Sequence, residues 1–269
     1  MSARCWPIYE DCKMHINTIP QASLCQNCGM TGMCFSQADK NKVEPKVRSH
    51  KVYQKSDVLF GAGQTFSAIY ILRSGSAKSS VFTTSGHEQI SRFYYPGDLI
   101  GLDGFDKGSH AQSIKFLETS SVCRLGLGEL DKAIASSTSI RFNLLKSMSH
   151  ALNNEDKFLL SLNNMNSAQR LSSFLLDLSS GFEERGLSGD VFELSMTRVD
   201  IANYLGMAIE TVSRLITQFQ NEQFIKVDKR RVSIVDFVKL NQCLLNEGAP
   251  DILLAAKVRQ AQNIQARVA

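Results

Sequence analysis

The chain has 269 residues, 43% hydrophobic and 21% charged, with a formal net charge of +4 and a pI near 8.6. That length holds two domains, each able to bury a core, and the mild basicity permits a nucleic-acid partner without demanding one. There is no run of eighteen apolar residues, and Met1-Ser2-Ala3-Arg4-Cys5-Trp6-Pro7 lacks the apolar stretch of a signal peptide, so a soluble cytoplasmic protein without membrane contact is expected. In that reducing compartment, seven cysteines (5, 12, 25, 28, 34, 123 and 243) argue against a disulfide framework.

Residues 1–45 are polar and irregular, and three of those cysteines, Cys25, Cys28 and Cys34, fall within ten residues. Three thiolates on one loop hold a soft metal centre only if a fourth ligand closes the sphere, and Cys123 is a candidate. Iron–sulfur and zinc chemistry both remain open at this point. Cys5 and Cys12 read as ordinary thiols.

Residues 46–135 alternate short β-rich runs with glycine turns: Val58-Leu59-Phe60, Ile69-Tyr70-Ile71-Leu72, Val81-Phe82 and Phe93-Tyr94-Tyr95, then Ser121 to Leu125 around Cys123. This spacing predicts a β barrel, sandwich or roll. Residues 136–166 then lack proline and glycine and predict one long helix. Its heptad frame places Leu144, Ala151, Phe158 and Met165 on one row and Met148, Glu155 and Leu162 on the other. Leu145, Leu152 and Leu159 form a line beside them. A stripe this wide can face a partner helix and its own domain together, and predicts a homodimer. Glu155 at the seam would face its symmetry mate and make association conditional. The switch residues expected are Glu155, Leu152, Met148, Leu144 and Phe158.

Residues 167–247 begin with a second helix and a short strand at Val191 to Leu194. Next comes Thr197 to Ile216, where Thr197 and Asp200 make a capping box with Asp in the usual Glu place. Ile201, Ala202 and Leu205 give the inward face of one helix, Gly206 a tight turn, and Val212, Leu215, Ile216 and Phe219 the inward face of the next. This is a helix-turn-helix, whose outward Glu210, Ser213 and Arg214 can reach base edges in double-stranded DNA. Phe224 to Val235 predicts a hairpin wing with a basic tip at Lys229, Arg230 and Arg231. Nine Lys/Arg against eleven Asp/Glu between Ser167 and Glu247 leave the domain non-basic in bulk. The cations concentrate at Arg198, Arg214, Lys226, Lys229 and Arg230. Residues 248–269 form an extension, with a helix expected from Ile252.

The order of thiol loop, β-roll, long helix and winged helix-turn-helix, with Ile209-Glu210-Thr211-Val212-Ser213-Arg214, Ile71 to Gly75, Gly97 to Gly101 and Leu117 to Ser120, resembles the cyclic-AMP receptor / fumarate and nitrate reduction regulator superfamily, closest to its oxygen-sensing branch. The resemblance implies an α+β fold with an N-terminal β-roll sensor domain, a dimerisation helix and a C-terminal DNA-binding domain. It implies a [4Fe-4S] cluster on Cys25, Cys28, Cys34 and Cys123, which match the C-x2-C-x5-C spacing and the β-roll cysteine. It also implies a TTGAT-N4-ATCAA-like palindrome, control of anaerobic metabolism, and RNA polymerase contact through loops at Arg73-Ser74-Gly75 and Thr83 to Glu88. Where cyclic-nucleotide binders of the superfamily place an arginine and a ribose-binding acid, this chain has Gln112 and Leu102, so no cyclic nucleotide is expected. Ala208 departs from the capping Thr or Ser of many relatives.

Two rivals stand beside this reading. A zinc-stabilised or cluster-free regulator could use the same thiolates structurally. An enzyme with a nucleophilic cysteine is the other, but His15, His50, His87, His110 and His150 are scattered and offer no paired base.

Overall fold

The structure is a computed structural model that describes residues 49–245. Cys5, Cys12, Cys25, Cys28, Cys34 and the expected helix from Ile252 lie outside the described residues. Eight strands form the N-terminal roll: β1 (Ser49–Tyr53), β2 (Val58–Phe60), β3 (Ala68–Ser74), β4 (Ala77–Phe82), β5 (Glu88–Tyr94), β6 (Leu99–Ile100), β7 (Ser113–Phe116) and β8 (Ser120–Gly126). They make two antiparallel sheets, ordered β1-β8-β3-β6 and β2-β7-β4-β5. A short helix α1 (Gly104–Lys107) precedes β7.

Alternation along β3 explains the layers. Leu72 points inward to the core between the sheets, with Phe60, Tyr94, Ile114, Phe116 and Val122, while Ile69 and Ile71 face a second cluster on the outer side. Between β3 and β4 the chain turns at Gly75, whose φ of +82° and collision with Ser120 for any added Cβ leave glycine alone suited to the turn.

The outer cluster is closed by helices. Leu130 comes from α2 (Leu127–Ser136) and Leu144 from α3 (Thr138–Asn164). A separate α2 was not expected, and the division placed at residues 135/136 falls inside it. The break instead comes at Ser137, whose side chain accepts a hydrogen bond from the Ile140 amide and starts α3 afresh. The expected long helix is otherwise present, 27 residues long.

After a break at Met165 and Asn166 come α4 (Ser167–Glu184), β9 (Val191–Glu193), α5 (Arg198–Leu205), α6 (Ile209–Asn221), β10 (Ile225–Asp228), β11 (Arg231–Ile234) and α7 (Phe237–Leu245). The three strands form a wing sheet in the order β10-β11-β9. Ile201, Ala202, Leu205, Val212, Leu215, Ile216 and Phe219 are all buried in one core, which also takes Phe158 from α3, Met165 from the break after it, and Ile90, Phe93 and Leu117 from the roll. The α3 helix therefore packs its first turns on the sensor core and its last turns on the helix-turn-helix core. No helix among the described residues is long and apolar enough to cross a membrane.

Candidate functional site

Cys123 lies on β8, opposite His50 of β1 and Ile71 of β3. Strand β1 is the outer strand of its sheet, so the chain enters the roll beside this thiol. Cys123 is half-buried and packs against the outer cluster that contains Leu144, as does Met148 one turn further along α3. Among the described residues, no group of three or more His, Cys, Asp or Glu side chains could hold a metal ion.

On α3 the apolar rows divide. Leu144 is 7% exposed and Phe158 packs into the helix-turn-helix core, its ring stacked on Tyr204 at 4.3 Å. Both were expected at the seam, and both face their own chain. Leu145, Leu152 and Leu159 are instead 57%, 63% and 57% exposed, with Phe142 beside them. The exposed seven-residue row, which includes the expected switch residue Leu152, lies one position along from the Leu144 row, which the core of the same chain takes. Met148 lies between the two environments, and Glu155 is exposed, three residues after Leu152 and four before Leu159.

The expected helix-turn-helix forms. Thr197 accepts from the Asp200 amide at 3.1 Å, and Asp200 accepts from the Thr197 amide at 2.9 Å, so the capping box forms with Asp at its third position. Gly206 takes φ +62° and ends α5, which aims α6 across it. Ala208 is the N-cap of α6 and supplies no side-chain hydrogen bond. Glu210, Arg214 and Arg198 are exposed and Ser213 is half-exposed. Glu210 in the first turn complements the helix dipole.

At the wing tip Lys229 is exposed with φ +54°. Arg230 differs from expectation: its Nε donates to the Leu194 carbonyl at 2.7 Å and its Nη2 to the Ser195 carbonyl. This guanidinium ties the wing tip to the segment between β9 and α5, so its first role is structural, and the cations exposed beside it are Lys229 and Arg231.

In the roll, Gln112 Oε1 accepts from Ser91 Oγ at 2.7 Å, and the His110 ring stacks on Phe60 at 3.6 Å in the interior. Of the loops expected at the surface, Arg73 and Ser74 are instead the last residues of β3 and only Gly75 lies in the turn, while Thr83 to His87 form the turn before β5, with Phe82 62% exposed beside it.

Sequence reasoning missed the contact between roll and reader. Lys78 reaches Asp200 at 2.9 Å and Glu88 at 3.1 Å, Asn203 bonds the backbone of β5, and Arg185 pairs with Asp98 at 3.0 Å. The only hint is that Asp200 and Asn203 lie three apart on one helix face.

Comparison with known proteins agrees with this architecture. The Crp-like helix-turn-helix domain family matches residues 169–243, and the cyclic nucleotide-binding domain family matches residues 50–137. The transcriptional activator protein Anr of Pseudomonas protegens is 35% identical over 229 residues, 84% of this chain and 93% of that protein. The fumarate and nitrate reduction regulatory protein of Vibrio cholerae is 34% identical over 220 residues, 80% of this chain and 88% of its own. Among solved structures, FixK2 from Bradyrhizobium japonicum matches with a TM-score of 0.67 at 23% identity, over 72% of this chain and 96% of that one, a likeness of fold. With relatives of this identity and extent, the enzyme alternative falls away and the chain belongs to the CRP/FNR family of transcription regulators.

Proposed function

We propose that this regulator is a cytoplasmic oxygen sensor that dimerises and binds a TTGAT-N4-ATCAA-like palindrome while a [4Fe-4S] cluster is held by Cys25, Cys28, Cys34 and Cys123, and so controls genes of anaerobic metabolism. The observation that carries this reading is the position of Cys123. It stands opposite His50, where the N-terminal segment joins the roll, and packs on the cluster shared with Leu144 and Met148 of α3. Fourteen residues separate Cys34 from Ser49, and a chain of that length spans up to about 50 Å when extended, so the segment can reach the thiol. A half-buried thiol on the helix-facing side of a strand suits a single roll-borne ligand.

When bound, the cluster supplies an oxygen-labile crosslink between the N-terminal segment and the roll. Every other part of the switch belongs to the protein. The Cys123 strand bears on Leu144 and Met148, these set the lie of α3, and α3 presents Leu145, Leu152, Leu159 and Glu155 to a second copy. Association brings two α6 helices to successive major grooves, with Glu210, Ser213 and Arg214 toward base edges and Arg198, Lys229 and Arg230 near phosphates. The end of β3 with its turn at Arg73-Ser74-Gly75, and the β4–β5 turn from Thr83 to the start of β5 at Glu88, are the surfaces offered to RNA polymerase. Gln112 and Leu102, where nucleotide binders carry an arginine and a ribose-binding acid, support a roll that takes no cyclic nucleotide.

The test is the absorbance of protein isolated without oxygen. A brown protein with visible absorption that air bleaches is expected. A colourless protein carrying zinc would replace the reading with a structural-metal regulator.

A further inference from the structure

Strand β5 is the outer strand of its sheet, and such an edge leaves backbone donors and acceptors open. Here part of that edge is closed by the DNA-reading half of the molecule. Asn203 of α5 donates through Nδ2 to the Glu88 carbonyl at 2.6 Å and accepts at Oδ1 from the Ile90 amide at 2.7 Å. The Gln89 side chain returns a bond to the Asn203 carbonyl at 3.1 Å. One carboxamide thus offers β5 the donor and acceptor that another strand would have offered.

A second attachment lies three residues earlier on the same helix face. Lys78 reaches Asp200 at 2.9 Å and Glu88 at 3.1 Å, with its side chain 9% exposed and that of Asp200 14% exposed. Next to Asn203, Tyr204 stacks on Phe158 and lies 5.1 Å from Phe93 of β5. The first helix of the helix-turn-helix is therefore held to the roll by two polar attachments next to an aromatic contact.

From this geometry we infer that Asn203 and Asp200, with Lys78, are positioning residues for DNA reading: they fix α5 to the edge of the sensor roll and so set the angle at which α6 is presented. The inference rests on the reading that α6 enters the major groove. The chain between α3 and α4 is only Met165 and Asn166, both extended, so the angle of the reader is set by the contacts around that joint, the packing of Phe158 and Met165 together with the attachments to β5. Two half-sites a fixed distance apart require a reader that does not swing. A contact that restrained binding by occlusion would have to cover the reading face, and Glu210 and Arg214 stay exposed while α5 is docked.

The test uses the full chain prepared without oxygen, with Asn203→Asp, which keeps the shape and the acceptor but removes the donor, and Lys78→Met, which keeps the stem. Binding is measured on duplexes with TTGAT and ATCAA half-sites separated by about two to about six base pairs. Sedimentation confirms that each variant still dimerises. The expected result is a loss on the order of tenfold at the preferred spacing, the scale of one or two hydrogen bonds, with little change at the others, so that the spacing preference flattens. Parallel losses at every spacing would reduce the contact to interface packing, and tighter binding would make it an inhibitory clasp. Either result overturns the inference. Hydrogen exchange without DNA probes the clamp independently: the Ile90 amide is protected in the wild type and exchanges faster in Asn203→Ala, and equal protection overturns the clamp. If the wild type bound none of the duplexes, the reading of α6 would fail, and the exchange rates would still decide whether the clamp exists.

Discussion

Cys123 and His50 face each other across the β1–β8 ladder, so the thiol of the roll stands where the chain coming from Cys25, Cys28 and Cys34 enters it. On the other side Ile71 of β3 stands opposite the thiol, and with Leu125 it belongs to the apolar cluster that receives Leu144. Cys123→Ala should therefore separate two effects. The fold should lose only about 1 kcal/mol, the typical cost of a single substitution. The visible absorption of the anaerobic protein, and with it specific DNA binding, should disappear. Cys243→Ala, altering the half-buried cysteine of α7, should lose neither. Spectra and thermal melts of the two variants check this, and a Cys123 variant with full absorption would remove the residue from the ligand set.

The two apolar rows of α3 make opposite predictions. Leu144 is 7% exposed, and Leu144→Ala should cost about 2–5 kcal/mol of folding stability, as expected for a truncated core leucine. Leu152 is 63% exposed, and Leu152→Ala should leave the monomer's stability within about 0.5 kcal/mol while weakening the dimer. Unfolding curves and sedimentation equilibrium report the two quantities separately. Equal effects on association from both substitutions would return the seam to the Leu144 row.

Glu155 completes that row with 3-4 spacing between Leu152 and Leu159. In a parallel pair it meets its own copy, and two like charges oppose association. Glu155→Ala should therefore dimerise and bind DNA in air. If the variant still required anaerobic conditions, the coupling would have to run through other residues.

What was legible in the sequence was local. The Thr197–Asp200 box, the turn at Gly206 and the inward face from Ile201 to Phe219 are set by capping chemistry, a positive φ and a short period, all contained within twenty-three residues. The choice between Leu144 and Leu145 was not legible, since it depends on Ile71 and Leu130 arriving from other elements to take one row. Arg230 shows the same kind of error. A basic tip suggests phosphate contact, and nothing nearby in sequence announces the carbonyls of Leu194 and Ser195 that its guanidinium binds. Asn203 was legible only through its place three residues after Asp200, since a polar side chain on a helix carries no periodic signal.

Arg214 and Arg230 should consequently behave differently. Arg214 is exposed on α6, and Arg214→Ala should weaken specific binding by about 1–3 kcal/mol and relax base preference at one position of each half-site. Arg230→Ala leaves the Leu194 and Ser195 carbonyls without that partner, so it should lower the melting temperature of the DNA-binding domain as well as affinity. Lys229→Ala should lower affinity evenly across sequences and reduce the salt slope by about 1. Competition assays over a set of single-base changes, at several salt concentrations, distinguish the three patterns.

The Lys78–Asp200 pair adds a dependence on pH. Burial alone would raise the Asp200 carboxyl, but the hydrogen bonds it accepts from Thr197 and Lys78 outweigh burial and hold it below its ordinary value of 3.8. Burial alone would lower the Lys78 ammonium, but its bonds to Asp200 and Glu88 outweigh that and hold it above 10.5. The Asp200 contribution is thus fully present above 3.8 and is lost as pH falls through the lower folded value. The Lys78 contribution is fully present below 10.5 and is lost as pH rises through the higher folded value. The stability difference between wild type and Lys78→Met should therefore be flat from about pH 5 to about pH 9 and shrink toward about pH 3. Denaturant unfolding across that range measures it. A difference that instead vanished near neutrality would mean that the pair does not hold the reader to the roll under the conditions in which the regulator works.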